Sequence, residues 1–356
     1  MNDEYRVLHV CNYSAPYRGN FIDCIESLEK NNEDVTNFYL FPCDAKMGNA
    51  KRWIGEMNRK RECAFYQKEN VLFNILMVWK LKKKYKINRV ICHFADLRMD
   101  VVLKLLFNSK RVIRFLHNGY KSKNKGAKHQ LRKILWKNNK LVGVSHASAR
   151  EIKESFPNFK VVSIVNAINF NRLDKRDCCE KKGEVSALMM GWSKEIKGVD
   201  LAVQAVKRLE NKYDITLSIL AGGCTGEVRE WIEQILGNVP DWIVFLPPTN
   251  NMGTYYFVND IFLSPSRQEA FGYAPVEATY CQNSIVLSKV DGQGELEIDG
   301  AYWVDTENLD QLTEQLEKAI IELKTAETQD VHKQAKIHVQ QRYSLKRWAK
   351  DLRELL

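Results

Sequence analysis

The chain has 356 residues, long for one hydrophobic core and comfortable for two domains. Hydrophobic residues make up 45% and charged residues 28%, as in ordinary soluble globular proteins. The net charge is +10, with lysines and arginines crowded into the first half, so an acidic partner is expected: nucleic acid, anionic lipid or a phosphorylated substrate. No RNP, KH, zinc-finger or basic-zipper pattern appears, which sets nucleic acid aside. No stretch reaches the roughly 18 unbroken apolar residues of a spanning helix. Val71 to Trp79 comes nearest, but it contains Asn74 and runs into Lys80. The chain passes from Met-Asn-Asp-Glu directly into Val7-Leu8-His9-Val10, so no secretory signal is expected and the expected location is cytoplasmic. Nine cysteines without a CxxC pair, among them the adjacent Cys178-Cys179, suggest neither a disulfide framework nor a zinc site.

Strand-like runs and helical stretches alternate along the chain. In the first half, strands are expected at Arg6 to Cys11, Val35 to Phe41, Arg89 to Phe94, Arg111 to His117, Lys140 to Val144 and Lys160 to Val165. Helices are expected between them at Phe21 to Lys30, Val71 to Tyr85, Leu97 to Phe107, Lys128 to Lys137 and Ala147 to Phe156. The polar segment 166–184 is the natural break, placed at residues 168 and 169. Beyond it strands fit Val185 to Met190, Ile215 to Ala221, Ile243 to Leu246, Asp260 to Leu263 and Ser284 to Ser288. Helices fit Val199 to Asn211, Glu227 to Leu236 and Pro275 to Cys281, and the tail from Leu309 reads as consecutive helices. Short apolar β-rich runs separated by helices predict an α/β chain of parallel sheets covered on both faces. The expected domains are therefore 1–168 and 169–340, two doubly wound folds facing a central cleft, with 341–356 as a final helix. Ligands of such sheets collect at the carboxyl ends of the strands.

Three constellations lie at expected strand ends. After the Asp260 to Leu263 strand comes Pro265-Ser266-Arg267-Gln268-Glu269-Ala270-Phe271-Gly272-Tyr273-Ala274-Pro275-Val276-Glu277. Glu269 and Glu277 are eight positions apart, Gly272 permits close backbone approach, and Pro275 suits the first turn of a helix. Exposed N–H groups at a helix start bind phosphate, while carboxylates accept hydrogen bonds from hydroxyls, a combination that fits a sugar nucleotide. Glu277, read as a first-turn residue, can equally serve the helix dipole alone. The second constellation is Gly191-Trp192-Ser193-Lys194-Glu195-Ile196-Lys197-Gly198, a strand-to-helix turn. Lys197 there can stabilise a departing diphosphate or be a solvated loop lysine. The third is the loop Ser14 to Asn20 with Gly19, a phosphate-binding candidate without the GxGxxG pattern. His117, at another strand end, is a site candidate or a structural histidine. No Asp-x-Asp occurs, so no carboxylate pair for a metal is offered.

Together these pieces resemble the GT4 family of retaining glycosyltransferases, which have the GT-B fold, in order and along essentially the whole chain. Gly19 matches the family's N-terminal glycine loop, His117 a histidine lining the donor-sugar pocket, and Ser145 a strand-end serine. Asn166-Ala167-Ile168 resembles the segment entering the interdomain linker, and Ala221-Gly222-Gly223 a glycine-containing strand end. Gly191 and Lys197-Gly198 match the phosphate-binding turn, Glu269 to Glu277 the E-x7-E motif, and Gly292-Gln293-Gly294-Glu295 a Gly-x-x-Glu loop.

The resemblance implies transfer of a hexosyl unit from a nucleoside-diphosphate sugar, UDP-sugar favoured, to a hydroxyl of a saccharide acceptor with retention. No metal or other cofactor is implied. Glu269 with the Phe271-Gly272 backbone would contact the donor sugar, Glu277 the ribose and Lys197 the diphosphate. Lys197, Glu269, His117 and Arg267 are the expected catalytic set, and Gly19, Gly191, Lys197, Phe271, Gly272 and Glu277 the expected donor site. The family's usual arginine is replaced by Trp192, and Arg267, Lys194 or Arg18 could supply the missing cation. Lys125 to Lys140 interleaves Leu131, Ile134, Leu135 and Trp136 with cations, fitting either an anionic membrane surface or an ordinary amphipathic helix. The expected acceptor is accordingly a polyprenyl-diphosphate-linked saccharide in glycan assembly. A sugar-nucleotide epimerase, a sugar-phosphate-using synthase and a non-catalytic nucleotide- or polyanion-binding protein remain as alternatives.

Overall fold

The computed structural model describes residues 4–15, 18–47, 50–60, 62–94, 96–118, 120, 126–175 and 183–356. Lys121, Lys125, Cys178 and Cys179 lie outside the described residues, as do two positions of the Gly19 loop, Pro16 and Tyr17. In chain order the elements are β1 (Tyr5–Cys11), α1 (Asn20–Lys30), β2 (Val35–Pro42), α2 (Cys43–Met47), α3 (Lys51–Lys60), β3 (Cys63–Tyr66), α4 (Val71–Tyr85) and β4 (Arg89–His93). There follow α5 (Leu97–Leu106), β5 (Val112–Leu116), α6 (Ala127–Leu135), β6 (Lys140–Gly143), α7 (His146–Ser155) and β7 (Lys160–Ser163). The second half contains β8 (Val185–Met190), α8 (Val199–Leu209), β9 (Ile215–Leu220), α9 (Thr225–Leu236), β10 (Ile243–Phe245), α10 (Met252–Val258), β11 (Ile261–Ser264) and α11 (Tyr273–Tyr280). It closes with β12 (Ser284–Ser288), β13 (Tyr302–Val304), α12 (Leu309–Glu322), α13 (Ala326–Arg342) and α14 (Leu345–Arg353).

The chain divides into two compact units, Met1–Ile168 with Leu345–Leu356, and Asn169–Ser344. The first unit holds a parallel sheet in the order β3-β2-β1-β4-β5-β6-β7. Val7 to Cys11 are all buried, as a central parallel strand covered on both faces requires. Asn70, Asp96 and Ser145 start α4, α5 and α7 by accepting hydrogen bonds from free first-turn N–H groups. Ser145, matched above to a strand-end serine, forms a reciprocal capping box with Ser148. Helix α14 packs on α1 within this unit. Arg347 donates to the carbonyls of Val165 (2.7 Å) and Asn166 (3.0 Å), and Trp348 is buried with its ring 5.7 Å from that of Phe115.

The second unit repeats the scheme in a parallel sheet ordered β10-β9-β8-β11-β12-β13. Its core joins β8, β9 and β11 to the apolar stripes of α8 and α12, including Val203, Val206, Leu312 and Leu316. In both sheets the first strand is flanked by the second and by the fourth, so the order reverses beside β1 and beside β8. In open parallel sheets ligands bind at such a reversal, which points to the carboxyl ends of β1 and β4 and to those of β8 and β11.

Five elements have no counterpart in the sequence reading, the first being the five-residue helix α2. Helix α3 is strongly polar, with only Trp53, Ile54 and Met57 turned inward. Strands β3 and β13 are short edge strands of four and three residues. Helix α10 contains Gly253, whose α-carbon comes so close to 170–173 that a Cβ there would sit 2.0 Å from the Leu173 carbonyl oxygen. Helix α11 begins at Tyr273 rather than Pro275, because Gly272 takes the left-handed conformation (φ 95°) and caps it.

Candidate functional site

At the carboxyl ends of β8 and β11 two loops are bound into one structure. Gly191 follows β8 so closely against β9 that a Cβ would lie 2.5 Å from Ile219 Cγ2. The chain then turns through 192–198, where Lys197 N donates to Ser193 O and Val199 N to Lys194 O, each at 3.0 Å. Gly198 ends the turn at φ 67°, with room for no side chain, since its Cβ would fall 2.2 Å from the Pro265 carbonyl oxygen. Arg267 N donates to Ile196 O at 2.8 Å, stitching the two loops together.

This arrangement brings Lys197 to Glu269. Their side chains form an ion pair with Nζ 2.5 Å from Oε2, and both are mostly buried. The Trp192 ring lies 5.9 Å from the same ammonium and is itself exposed. Gly292 N donates to Glu269 O at 2.9 Å, so the Gly-x-x-Glu loop closes on the same segment. Gln293 fixes the strand ends below: it accepts from Ser264 Oγ at 2.8 Å and donates to Ser288 O at 2.9 Å. Phe271 is buried between Tyr273 and Tyr343, so its side chain holds the loop while the backbone leads into α11, whose first-turn N–H groups have no partner within the helix.

Arg267 faces elsewhere. Its guanidinium grips Asp200 through two bonds of 2.8 and 2.7 Å and also meets Glu307 at 2.8 Å. Hydrogen bonds to Asp200, with Glu307 adding to them, hold it above the usual arginine range. Arg18 is held by Asp23 (2.7 Å) and Glu26 (3.0 Å). Lys194 lies 5.4 Å over the Trp231 ring and makes no ion pair among the described residues.

Glu277 is the fifth residue of α11, not a first-turn residue, because the helix begins two residues before Pro275. It is buried, accepts from the Tyr256 hydroxyl at 2.8 Å, and meets Arg172 at 3.2 Å. Burial, with the neighbouring carboxylate adding to it, pushes the Tyr256 phenol well above its ordinary range. Arg172 and Tyr256 are site residues the sequence reading missed. Arg172 stood in a segment read as linker, and Tyr256 sits in a helix without a motif.

In the first unit Gly19 caps α1 with an extended backbone, and a Cβ there would approach the Tyr13 hydroxyl to 3.1 Å. His117 follows β5 and is half-buried. Its Nε2 lies 3.1 Å from His93 Nδ1, His93 Nε2 lies 3.3 Å from His9 Nδ1, and His9 Nε2 lies 3.0 Å from Asn37 Oδ1. Three histidines therefore run in series across the ends of β1, β4 and β5. Burial pushes His9 down to about 4 and His117 to about 3, and His93 lies well below its ordinary value through burial and its two ring neighbours. No cluster of three or more metal-ligating side chains occurs among the described residues.

Residues 172–337 match the family described as Glycosyl transferases group 1. This stretch is thus similar to the group 1 glycosyltransferases. It contains Lys197, Glu269 and Glu277, the residues on which the sequence resemblance rests. Over 109 residues the chain is 28% identical to the lipopolysaccharide core biosynthesis mannosyltransferase LpcC of Rhizobium leguminosarum bv. viciae, covering 29% of this chain and 31% of that protein. It is 26% identical over 165 residues to N-acetyl-alpha-D-glucosaminyl L-malate synthase of Bacillus anthracis, covering 43% of this chain and 42% of that protein. The chain thus spans well under half the length of these curated relatives. Among solved structures, a glycosyltransferase from Rickettsia africae superposes with a TM-score of 0.80 at 17% identity, covering 99% of this chain and 98% of that one. Anabaena HepE in complex with UDP and glucose superposes with a TM-score of 0.78 at 16% identity, covering 98% of each chain. The chain therefore has the GT-B fold.

Proposed function

We propose that the protein transfers a hexosyl unit from a nucleoside-diphosphate sugar, with UDP as the favoured nucleotide, to a hydroxyl of a saccharide acceptor with retention at the anomeric carbon. The observation that carries this reading is the Lys197–Glu269 pair at the β8 and β11 ends, beside the N-terminus of α11. A diphosphate arriving there exchanges with Glu269 for the Lys197 ammonium and takes further hydrogen bonds from the α11 N–H groups. Glu269, released, accepts hydrogen bonds from the sugar hydroxyls. Glu277, held by Tyr256 and Arg172, offers its carboxylate to the ribose. Since Arg267 and Arg18 are engaged by carboxylates, Lys194 is the second cation. HepE, whose structure contains UDP and glucose, and the mannosyltransferase relative support the substrate class.

In the transfer the bond from the anomeric carbon to the diphosphate oxygen breaks. The acceptor oxygen attacks the same face and gives its proton to the departing diphosphate. Lys197 meets the charge that develops on the leaving group, the interaction expected to lower the barrier most. No metal or other cofactor is part of this proposal.

The acceptor reading rests on the first unit. Leu72, Leu76 and Trp79 on α4 are exposed, at 76%, 62% and 46%, and run into exposed Lys80 and Lys83. On α6 Leu131 and Ile134 are exposed, whereas Leu135 and Trp136 of the expected membrane stripe turn into the core. Helix α5 lies between, with Leu105 exposed. An apolar ridge flanked by lysines suits an anionic membrane carrying a lipid-linked acceptor. None of the described helices is long and apolar enough to cross a membrane.

Incubation with UDP-, GDP- and ADP-hexoses and a saccharide acceptor tests the function. Release of one nucleoside diphosphate with an α-linked product from an α-linked donor is expected, and Lys197→Ala lowers kcat by about 100-fold or more. An inverted product would sink the retaining mechanism.

A further inference from the structure

We infer that His9 and His93 are positioning residues that lock His117 as its Nε2–H tautomer, leaving Nδ1 as a bare acceptor for a hydroxyl of the substrate sugar; the identity of that ligand rests on the transferase reading above. The assignment begins at Asn37. Its Nδ2 donates to the Ile25 carbonyl at 2.7 Å, which turns Oδ1 toward His9. An amide oxygen 3.0 Å from His9 Nε2 requires the proton on that nitrogen. Neutral His9 then has only a lone pair at Nδ1, so His93 must donate to it from Nε2 across 3.3 Å. His93 Nδ1 is an acceptor in turn, and His117 must donate to it from Nε2 across 3.1 Å. One carbonyl–amide contact thus dictates three tautomers in succession. His117 Nδ1 is the end of the chain, and no described residue hydrogen-bonds to it.

The ring is also held in place. Phe94 stacks on it at 4.5 Å and 22°, Phe115 at 5.7 Å and 20°, and Phe21 meets it edge-on at 5.6 Å. Phe94 takes a left-handed backbone (φ 59°), uncommon for an aromatic residue, and its ring forms one wall of this slot. A proton added to His9 Nδ1 or to His93 Nδ1 would set two N–H groups against each other, and burial disfavours one on His117, so the series works with all three neutral. An imidazole lone pair accepts from a hydroxyl and repels a phosphate oxygen. His117 is therefore assigned to the sugar, where Lys197 is assigned to the diphosphate.

Histidine ring 15N NMR on the full chain without ligand tests the lock, with the His117 signal identified by its loss in His117→Gln. The wild type is expected to show His117 protonated at Nε2 and bare at Nδ1. In His93→Phe the acceptor is gone and His117 becomes a tautomer mixture. In His93→Asn an amide oxygen replaces the lost lone pair and restores the single tautomer. In parallel His93→Phe is expected to lower sugar transfer about tenfold, with His93→Asn recovering most of it and nucleoside-diphosphate binding within twofold of wild type in both. His117 protonated at Nδ1 in the wild type, or an unaltered tautomer in His93→Phe, overturns the inference. Should His93→Phe not fold, the wild-type tautomer and His93→Asn decide. A wild type with the expected tautomer that turns over no sugar nucleotide defeats the transferase reading and leaves the lock standing.

Discussion

Lys197 owes its position to the residue after it. Gly198 combines a left-handed backbone with contact against the Pro265 carbonyl, so the loop can follow this path only without a side chain there. Gly198→Ala is expected to cost about 2 kcal/mol or more in urea denaturation, from the strained conformation and the clash together. Donor binding should fall with it, because the displaced turn carries Lys197. Gly226→Ala provides the contrast: that exposed position in α9 has nothing within 4 Å, and the substitution should be neutral or stabilising. At this scale the sequence revealed which residues sit at strand ends, because glycines and a cation there have few other reasons to follow an apolar run. It did not reveal partners. Nothing in the spacing of Arg267 announces Asp200 and Glu307, and nothing near Glu277 announces Arg172, 105 positions earlier in the chain.

Among elements, the contact that joins α5, β5 and the end of α6 is ionic and buried. Asp100 pairs with Arg114, both almost fully shielded, and accepts from Trp136 Nε1 at 2.7 Å, while Arg114 Nε donates to Asn139 at 2.6 Å. Burial raises the Asp100 carboxyl even against the pull of Arg114. Asp100→Ala leaves a guanidinium buried without its counter-ion and is expected to cost about 3–5 kcal/mol in denaturant unfolding. A loss below about 1 kcal/mol would mean that water reaches Arg114. This network is why Trp136 points inward although its segment reads as an amphipathic surface helix. The long helices and central strands were legible because burial on one or both faces imposes a period. Helix α3 and strands β3 and β13 were not, since polar composition or a length of three or four residues leaves no period to detect.

Across the whole molecule, both sheets share one strand order, and each gathers its distinctive polar groups at the reversal of that order. In the first unit those groups are His9, His93 and His117, whose ring nitrogens meet one another and Asn37, with Tyr39 stacked on His9 and Phe94, Phe115 and Phe21 packed on the other rings. Because all three are held below the ordinary histidine value of about 6.5, the unfolded chain binds more protons than the folded one as pH falls beneath it. Their stabilising contribution is full above about pH 6.5 and drains away toward about pH 4, where His9 begins to protonate in the fold. Each neutral histidine steepens the loss by up to about 1.4 kcal/mol per pH unit, visible as a falling denaturation midpoint between pH 7 and pH 5. A midpoint that stays flat over that range contradicts the buried neutral series.

The measurement that bears most directly on the central claim is the thermal stability of the full chain against UDP, GDP, ADP and their hexose conjugates, beside Lys197→Ala. A ligand at about 100 times its Kd adds roughly 2.7 kcal/mol to the folded state, enough for a clear rise in Tm. A rise with one base, strongest for UDP and reduced in Lys197→Ala, is the predicted result. No rise with any nucleotide would contradict a donor site at the β8 and β11 ends.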